Sequence, residues 1–432
     1  MGLHSWRARR RRSRASRILI IVENCAVPQD RRVWKESEAL VDAGYDVSVI
    51  APRRREQRRR EAVGNITIHR YAPTRERADE VGFVLEFVSA WVQIALLSAI
   101  IFVRDGFAAI QACNPPDIFF TVALPYKLAG CPFVFDQHDL SPELYVARYG
   151  RSGGVVFRCL ELLERATFRT ADHVISANPP QAEIPLTRGK KVREAVTVVS
   201  NGPVLRRAPA PTSHPDRWRA KAFLGCWVGA MGAVDDGVEL AIQAIDHLVH
   251  EVGRNDCHFV FLGDGEAFGE VTRLAAELGV TDWITFTGWV DHEIVLDCLA
   301  CADVGLQPDP KNPRTDKATA VKTLEYMAFG VPVVAFDLEE TRRTVGSAAA
   351  YATPNDPRSF AMTIDGLLSD PDRRHAMGAT GRRLIRDGLA WDYQRVAYVG
   401  VFDALLDRPQ KQTNAISTGA TQGGAHGVAR YE

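Results

Sequence analysis

The chain has 432 residues, too many for one ordinary domain, and its length alone predicts two or three. Hydrophobic residues make up 46% and charged residues 25%, the balance of a globular protein whose domains bury cores without disulfides or structural metals. The formal net charge is zero, which argues against nucleic acid as the main partner, because a phosphate backbone demands a large basic excess.

In chain order, residues 1–16 read as a disordered basic tail. Its arginines, from Arg7 to Arg17, are either a solvated charge run or a segment drawn to anionic lipid headgroups. No apolar stretch with a small-residue cleavage site follows this basic start, so a cytoplasmic protein is expected. Arg17–Glu23 (RILIIVE) is short, apolar and β-branched, the pattern of a buried strand. Asp30–Gly44 is a helix with Val33, Trp34, Ala39, Leu40 and Val41 on apolar faces, and Asp46–Ala51 is the next strand. Repeated βαβ units of this kind build a parallel sheet with helices on both faces. Arg53–Arg60 is a second basic run.

Phe87–Val103 stands apart, with no charge over 17 residues. A bilayer span needs about 20, and Glu86, Ser89 and Gln93 fall on one helical face, so a spanning helix is not expected. Two readings are open: a helix packed into the core, or one lying in a membrane interface.

Strands resume at Ala108–Ala112, Pro132–Asp136 and His173–Ser176; Asn178–Ala182 opens a helix, and Val196–Val199 runs into the turn Asn201-Gly202-Pro203. Residues 204–220, rich in Pro, Ala, Ser and Arg, read as a linker. A second series has strands at Phe223–Val228, His258–Leu262, Ile284–Thr287, Val304–Gln307 and Val331–Ala335. Helices alternate with them at Gly237–Val252, Ala267–Leu278, His292–Ala300 and Thr323–Phe329. The fold class is therefore α/β: two Rossmann-like, doubly wound domains, 17–203 and 221–385, facing across a cleft. A last helix, 386–408, is expected to pack back toward the N-terminal domain, with a disordered tail at 409–432. The eight cysteines are scattered through mostly apolar runs, as buried thiols of a reducing compartment would be. Cys298 and Cys301 form a lone CxxC, and a zinc site would want a second pair.

Ligands of open α/β sheets bind beyond the carboxyl ends of the strands. Asp30, at the first such end, is either a helix N-cap or, with Arg31 and Trp34, part of a loop facing the cleft. The loop from Asp136 to Glu143 gathers polar groups, and His138 in it can donate to a sugar hydroxyl or a developing charge. Gly229-Ala230-Met231-Gly232 precedes Asp235, Asp236 and Gly237, and Gly263-Asp264-Gly265 opens another helix; such glycines let backbone N–H groups approach phosphates. The Gly263–Gly269 spacing is one residue longer than the dinucleotide fingerprint and lies in mid-domain, so no NAD site is read there. Lys322, at a helix start, can neutralise a diphosphate, and Glu325 one turn on can accept hydrogen bonds from vicinal ribose hydroxyls. The plain alternative is an exposed pair at i, i+3 worth little.

Nine segments in order carry a resemblance: ENCAVPQDRRVWKE from Glu23, NPPD from Asn114, FDQHDLSPEL from Phe135, VSNGPV from Val199, GAMGAVDDGVE from Gly229, FLGDGE from Phe261, FTGWV from Phe286, ADVGLQP from Ala302 and KTLEYMAFGVPVVAFD from Lys322. With them the chain resembles the family 4 glycosyltransferases, retaining enzymes of the GT-B fold, and within them sugar transferases of bacterial surface-polysaccharide pathways. The resemblance implies a nucleotide-sugar donor, a UDP-sugar, held mainly by the C-terminal domain. Glu325 would hold the ribose, with Leu324 beside it, and Met231, Gly232, Asp236, Gly237, Gly263, Asp264, Gly265 and Lys322 would lie along the nucleotide and diphosphate. His138 would face the donor sugar, with Asp139 and Lys322 at the reacting centre, and Asp30, Arg31, Trp34 and Asn114 would form the acceptor side. The acceptor would be lipid-linked or a saccharide, reached at the inner membrane face. No metal or other cofactor is expected, and no Asp-x-Asp motif stands at a strand end. Retention would proceed by front-face attack, the leaving phosphate taking the acceptor proton, so that catalysis rests on positioning and on stabilising the leaving group.

The chain departs from the family pattern twice. Many members place a glutamate eight positions before the one matching Glu325, where this chain has Lys317. Many carry an Arg and a Lys in the loop that here runs from Gly229 to Gly237 with acids instead, which leaves Lys322 to supply most of the phosphate-neutralising charge. A nucleotide-sugar epimerase of the same fold and a non-enzymatic nucleotide-sugar-binding subunit remain alternatives.

Overall fold

The computed structural model describes residues 16–73, 80–204, 218, 220–232 and 235–409, with the side chains of 80–87 excepted. The tail at 1–16 and the linker at 204–220, as expected from the sequence, fall almost wholly outside them, as does the tail at 409–432.

The N-terminal half alternates β1 (Arg17–Ile21), α1 (Arg31–Asp42), β2 (Asp46–Pro52), β3 (Arg60–Val63), β4 (Ile66–Tyr71), α2 (Glu80–Arg104), β5 (Ala109–Cys113), α3 (Phe120–Leu128) and β6 (Phe133–Gln137). It continues through α4 (Ser141–Tyr149), α5 (Gly154–Thr170), β7 (His173–Ser176), α6 (Pro179–Thr187) and β8 (Val196–Val198). Its eight strands lie in the order β3-β4-β2-β1-β5-β6-β7-β8, parallel except where β3 returns antiparallel to β4. β1, apolar on both faces, pairs with β2 and β5 at the sheet centre, as its sequence requires. The β3–β4 hairpin was not foreseen: β3 is an exposed edge strand at the end of the basic run, with no apolar run to signal it.

The C-terminal half runs β9 (Phe223–Val228), α7 (Val238–Asp246), β10 (Cys257–Leu262), α8 (Phe268–Glu277), β11 (Ile284–Phe286), α9 (His292–Leu299), β12 (Val304–Gln307), α10 (Val321–Phe329), β13 (Val333–Phe336), α11 (Glu339–Val345), β14 (Ala349–Ala352), α12 (Pro357–Leu368) and α13 (Pro371–Leu384). Its sheet is wholly parallel, in the order β11-β10-β9-β12-β13-β14. Each sheet has a separate apolar core on either face, the mark of a doubly wound domain.

The final helix, α14 (Trp391–Leu405), leaves the second domain and covers the first. Trp391, Tyr398, Val401 and Phe402 join the core formed by α1 and the strands β1, β2 and β4. Tyr45 Oη donates to Asp403 and Tyr398 Oη to Gln111, each at 2.7 Å. On the opposite face of the first sheet, α2 buries Ala90, Ile94 and Ile101. Its polar residues are used locally, Gln93 Nε2 donating to Ala72 O at 3.0 Å. Among the described residues no helix is long and apolar enough to cross a membrane.

Candidate functional site

Asp30 does cap α1: its Oδ1 accepts from the backbone N–H groups of Arg32 and Val33, each at 3.0 Å. That first turn sends Arg31 outward into the cleft and Arg32 into the interior. Arg32 donates to Asp136 at 2.7 Å and to Val199 O at 3.0 Å, and forms an ion pair with Glu36 at 3.0 Å. Asp136, at the end of β6, also meets His138 Nε2 at 2.6 Å. Gln111 ties the group together, donating to Glu36 at 2.8 Å and accepting from Tyr398.

Burial by itself would raise the Asp136 carboxyl, but the charges of Arg32 and His138 outweigh it and hold the group well below the carboxylate range. Burial and the Asp136 charge push Glu36 up to about 8. For His138 burial works against the charged form, and the Asp136 carboxylate more than offsets it, so its value is raised. Cys113 Sγ, Asp136 and His138 Nε2 lie within 4.8 Å of one another, a ligand-like trio. The guanidinium of Arg32 already occupies the carboxylate, and burial lifts the Cys113 thiol far above its ordinary value, so the trio fits an arginine better than a cation.

Asn114 is buried beneath this loop. Its Oδ1 accepts from the N–H groups of His138 and Asp139 at 2.7 and 3.2 Å, and its Nδ2 donates to Asp139 O at 2.7 Å. It therefore shapes the turn that presents His138 and Asp139.

Across the cleft, Lys322 in the first turn of α10 donates to Asp309 at 2.6 Å and to Asp236 at 3.4 Å, with the Trp227 ring 5.1 Å away. Burial lowers the lysine's value and the two aspartates more than restore it. Asp236 accepts from Gly232 N at 3.1 Å. The surrounding loops approach too closely for side chains. A Cβ at Gly237 (φ +54°) would lie 2.0 Å from Pro308 O, and one at Gly263 (φ +151°) 1.8 Å from Gly229 O. Asp264 and Gly265 are exposed at the mouth.

Several sets of contacts cross between the domains, Lys317 with Glu143 at 3.8 Å among them. Arg314 reaches Asp139 through Nε and Nη2 at 3.1 and 2.7 Å, and Asp235 through Nη1 at 2.7 Å. Arg31 pairs with Glu325 at 3.2 Å. Asn178 donates to Lys317 O at 2.9 Å and Thr319 Oγ1 at 3.0 Å.

The structure thus brings Asp139, Asp236 and Lys322 together around one cleft, with Arg31 on Glu325 at its edge and the glycine loops behind. It does not show the pairing of Lys322 with Glu325 that helical spacing allows, because each has a partner elsewhere. The side chains of Met231 and Leu324 are fully buried in the second domain's cores, so only their backbone can meet a ligand. Trp34 packs on the N-terminal core. Sequence reasoning missed Arg314, Asp235 and Asp309, and the Arg32–Glu36–Asp136 cluster. Arg314 sits in the Pro-rich loop QPDPKNPR, and its two partners come from 175 and 79 residues away, so no local spacing marks it.

Residues 29–202 match the family model described as Glycosyl transferase 4-like domain, and residues 223–370 the one described as Glycosyl transferases group 1. The two cover most of both domains, and the chain belongs to this glycosyltransferase family. It is 26% identical over 269 residues to the 2-deoxystreptamine glucosyltransferase of Streptomyces kanamyceticus, covering 60% of this chain and 67% of the relative. It is 29% identical to the alpha-D-kanosaminyltransferase of the same organism, over 35% of this chain and 38% of that one. With the GDP-mannose-dependent alpha-(1-6)-phosphatidylinositol monomannoside mannosyltransferase of Mycolicibacterium smegmatis it shares 30% identity, over 36% and 41% of the two chains. The last two matches thus span about two fifths of the relatives' lengths. In fold it is similar to sucrose-phosphate synthase of Thermosynechococcus elongatus (TM-score 0.75, 18% identity, 91% and 99% of the chains covered). It is also similar to HepE of Anabaena in complex with UDP-glucose (TM-score 0.67, 14% identity, 90% and 100% covered). Two parallel-sheet α/β domains with these neighbours constitute the GT-B fold.

Proposed function

We propose that this chain transfers a sugar from a nucleoside-diphosphate sugar, a UDP-sugar, to a lipid-linked or saccharide acceptor, with retention of anomeric configuration. The carrying observation is the cleft itself, where cations from one domain meet carboxylates from both. Lys322 and Arg314 lie beyond the strand ends of the second sheet, where ligands of open α/β sheets bind, and Asp139 of the first domain meets Arg314. In the transfer the acceptor oxygen bonds to the anomeric carbon. The bond from that carbon to the diphosphate oxygen breaks, and the nucleoside diphosphate leaves with the acceptor proton. Lys322 and Arg314 stabilise the charge that grows on the leaving oxygen, releasing their aspartates as the phosphates arrive. His138, held by Asp136, hydrogen-bonds the donor sugar. Arg31 and Glu325 mark the ribose end, where the carboxylate exchanges its arginine for hydroxyls. The active form needs no metal.

The fold likeness to HepE crystallised with UDP-glucose supports a UDP donor, and the alignment with a GDP-mannose-dependent relative makes GDP-mannose its competitor. The test is turnover of UDP-, GDP-, ADP- and dTDP-sugars in EDTA, with and without lipid extract. Release of UDP that depends on lipid acceptor supports the proposal. Release of GDP instead reassigns the donor, interconversion of the free donor makes the protein an epimerase, and tight binding without turnover makes it a binding subunit.

A further inference from the structure

The helices α2, α3 and α5 form one layer over the first sheet, and the outer side of that layer is apolar and exposed. On α2, Val88, Val92, Leu96 and Ile100 recur every four residues on one stripe, opposite the buried Ala90, Ile94 and Ile101, and Leu96 is 60% exposed. The helix is thus apolar on two sides, and only one of them has the core to cover it. Trp91 Nε1 donates to Thr121 Oγ1 at 2.8 Å and locks α3 alongside, extending the surface to Leu128, which is 82% exposed. α3 in turn packs against α5, whose outer stripe carries Val155 and Leu162. Exposed apolar stripes on adjacent helices of this kind mark a docking site.

Its charges say what docks. Arg148, Arg151, Arg158 and Arg169 stand exposed on α4, α5 and the turn between them. The described carboxylates of these helices are withdrawn: Glu143 and Glu164 are held by Arg188, and Glu161 by Arg165. Although the chain is neutral overall, the fully exposed charged positions described on α4 and α5 are arginines, and the described carboxylates there are each paired with an arginine. The Arg-rich sequence preceding Ser16 also joins the described chain here, because Arg17 lies 3.9 Å from Asp105, next after the last residue of α2.

We infer that the α2–α3–α5 face is a lipid-docking surface, which seats the N-terminal domain on an anionic bilayer with the apolar stripe of α2 in the headgroup–acyl boundary and the α4–α5 arginines on acidic headgroups. It deepens the proposed function, resting on the reading that the acceptor is carried in a membrane. α2 lies in the interface plane and does not cross. Each arginine near such a surface adds attraction, so four give a preference for acidic lipid that salt weakens.

The experiment is co-sedimentation of the full chain with phosphatidylcholine vesicles, with and without phosphatidylglycerol. Three proteins are compared: wild type, Leu96→Ser/Ile100→Ser, and Arg158→Glu/Arg169→Glu. Circular dichroism and UDP binding report whether each is folded; the changed residues lie outside the cleft, so both should be retained. Binding only to vesicles containing phosphatidylglycerol, lost about tenfold or more in each variant, is expected. Wild-type binding that ignores phosphatidylglycerol, absence of vesicle binding, or variants that bind like wild type overturn the inference. So does a concentration-dependent dimer abolished by Leu96→Ser/Ile100→Ser, which would give the face to a second copy. Vesicle binding without transfer to any lipid-linked acceptor removes the functional reading and leaves the surface. Transfer to detergent-dispersed acceptor without vesicle binding does the reverse.

Discussion

Arg314 holds one carboxylate from each domain, so its removal frees Asp139 and Asp235 and takes a cation from the diphosphate end of the cleft. Arg314→Gln should lower kcat/KM by about 10²–10³-fold, the range for losing one donor to a developing oxyanion, with the circular dichroism spectrum unchanged. A loss confined to KM would assign it to ground-state binding alone. Glu325→Ala should weaken UDP binding by about tenfold in calorimetry, as expected for losing hydrogen bonds to a charged group; unchanged binding would remove it from the ribose site. Glu36 supplies a pH test. Its folded value of about 8 exceeds the ordinary 4.5, so between them the folded state binds a proton that the unfolded chain has lost. Stability from this group therefore falls as pH rises through that window. Glu36→Gln keeps the neutral shape, and its Tm should match wild type near pH 5 and exceed it near pH 9. Equal differences at both ends would show that burial of the charge is not at issue.

At the scale of elements, α1 and α14 decide how the N-terminal half of the site is held. Asp30→Ala removes the N-cap of α1 and should cost about 1 kcal/mol in urea unfolding. It should cost activity beyond that, because the same turn aims Arg31 and Arg32. Phe402 is fully buried where α14 meets the first sheet. Phe402→Ala should destabilise the N-terminal domain by about 3–5 kcal/mol, while the C-terminal domain, whose cores lack this helix, still binds UDP. Loss of UDP binding under conditions where the far-UV signal is native would mean that the domains do not fold independently.

For the whole molecule, the cross-cleft contacts are partly exposed ion pairs and hydrogen bonds, each contributing modestly. They close the cleft by their sum and are open to screening. Small-angle scattering should show a larger radius of gyration for Arg314→Gln than for wild type without ligand, and for wild type as salt rises. A UDP-sugar should restore the compact form in both. A radius insensitive to salt and substitution would mean that apolar contacts, not these charges, set the closure.

The strands β1, β2, β7, β9, β10 and β12 were legible because buried parallel strands are written as short apolar, β-branched runs, and the helices between them carry their own caps and stripes. The glycine loops and Lys322 were legible because each sits immediately after a strand or at a helix start, where phosphate-binding groups belong. Local pattern could not reveal β3, a short exposed edge strand with no apolar run, and α4 and α5 were not read from the sequence although α5 is amphipathic. Nor could it reveal the partners of a charge: Arg314 with Asp139, Arg31 with Glu325, and Lys322 with Asp309 all meet through the docking of separate loops or domains. The sequence by itself determined two Rossmann-like halves and the family to which they belong, since both follow from periodicity and from motifs in order. Only the tertiary structure decided which cation faces which carboxylate, and which side of α2 is left uncovered. Those depend on where strand ends converge in space, and separation along the chain carries no information about that distance.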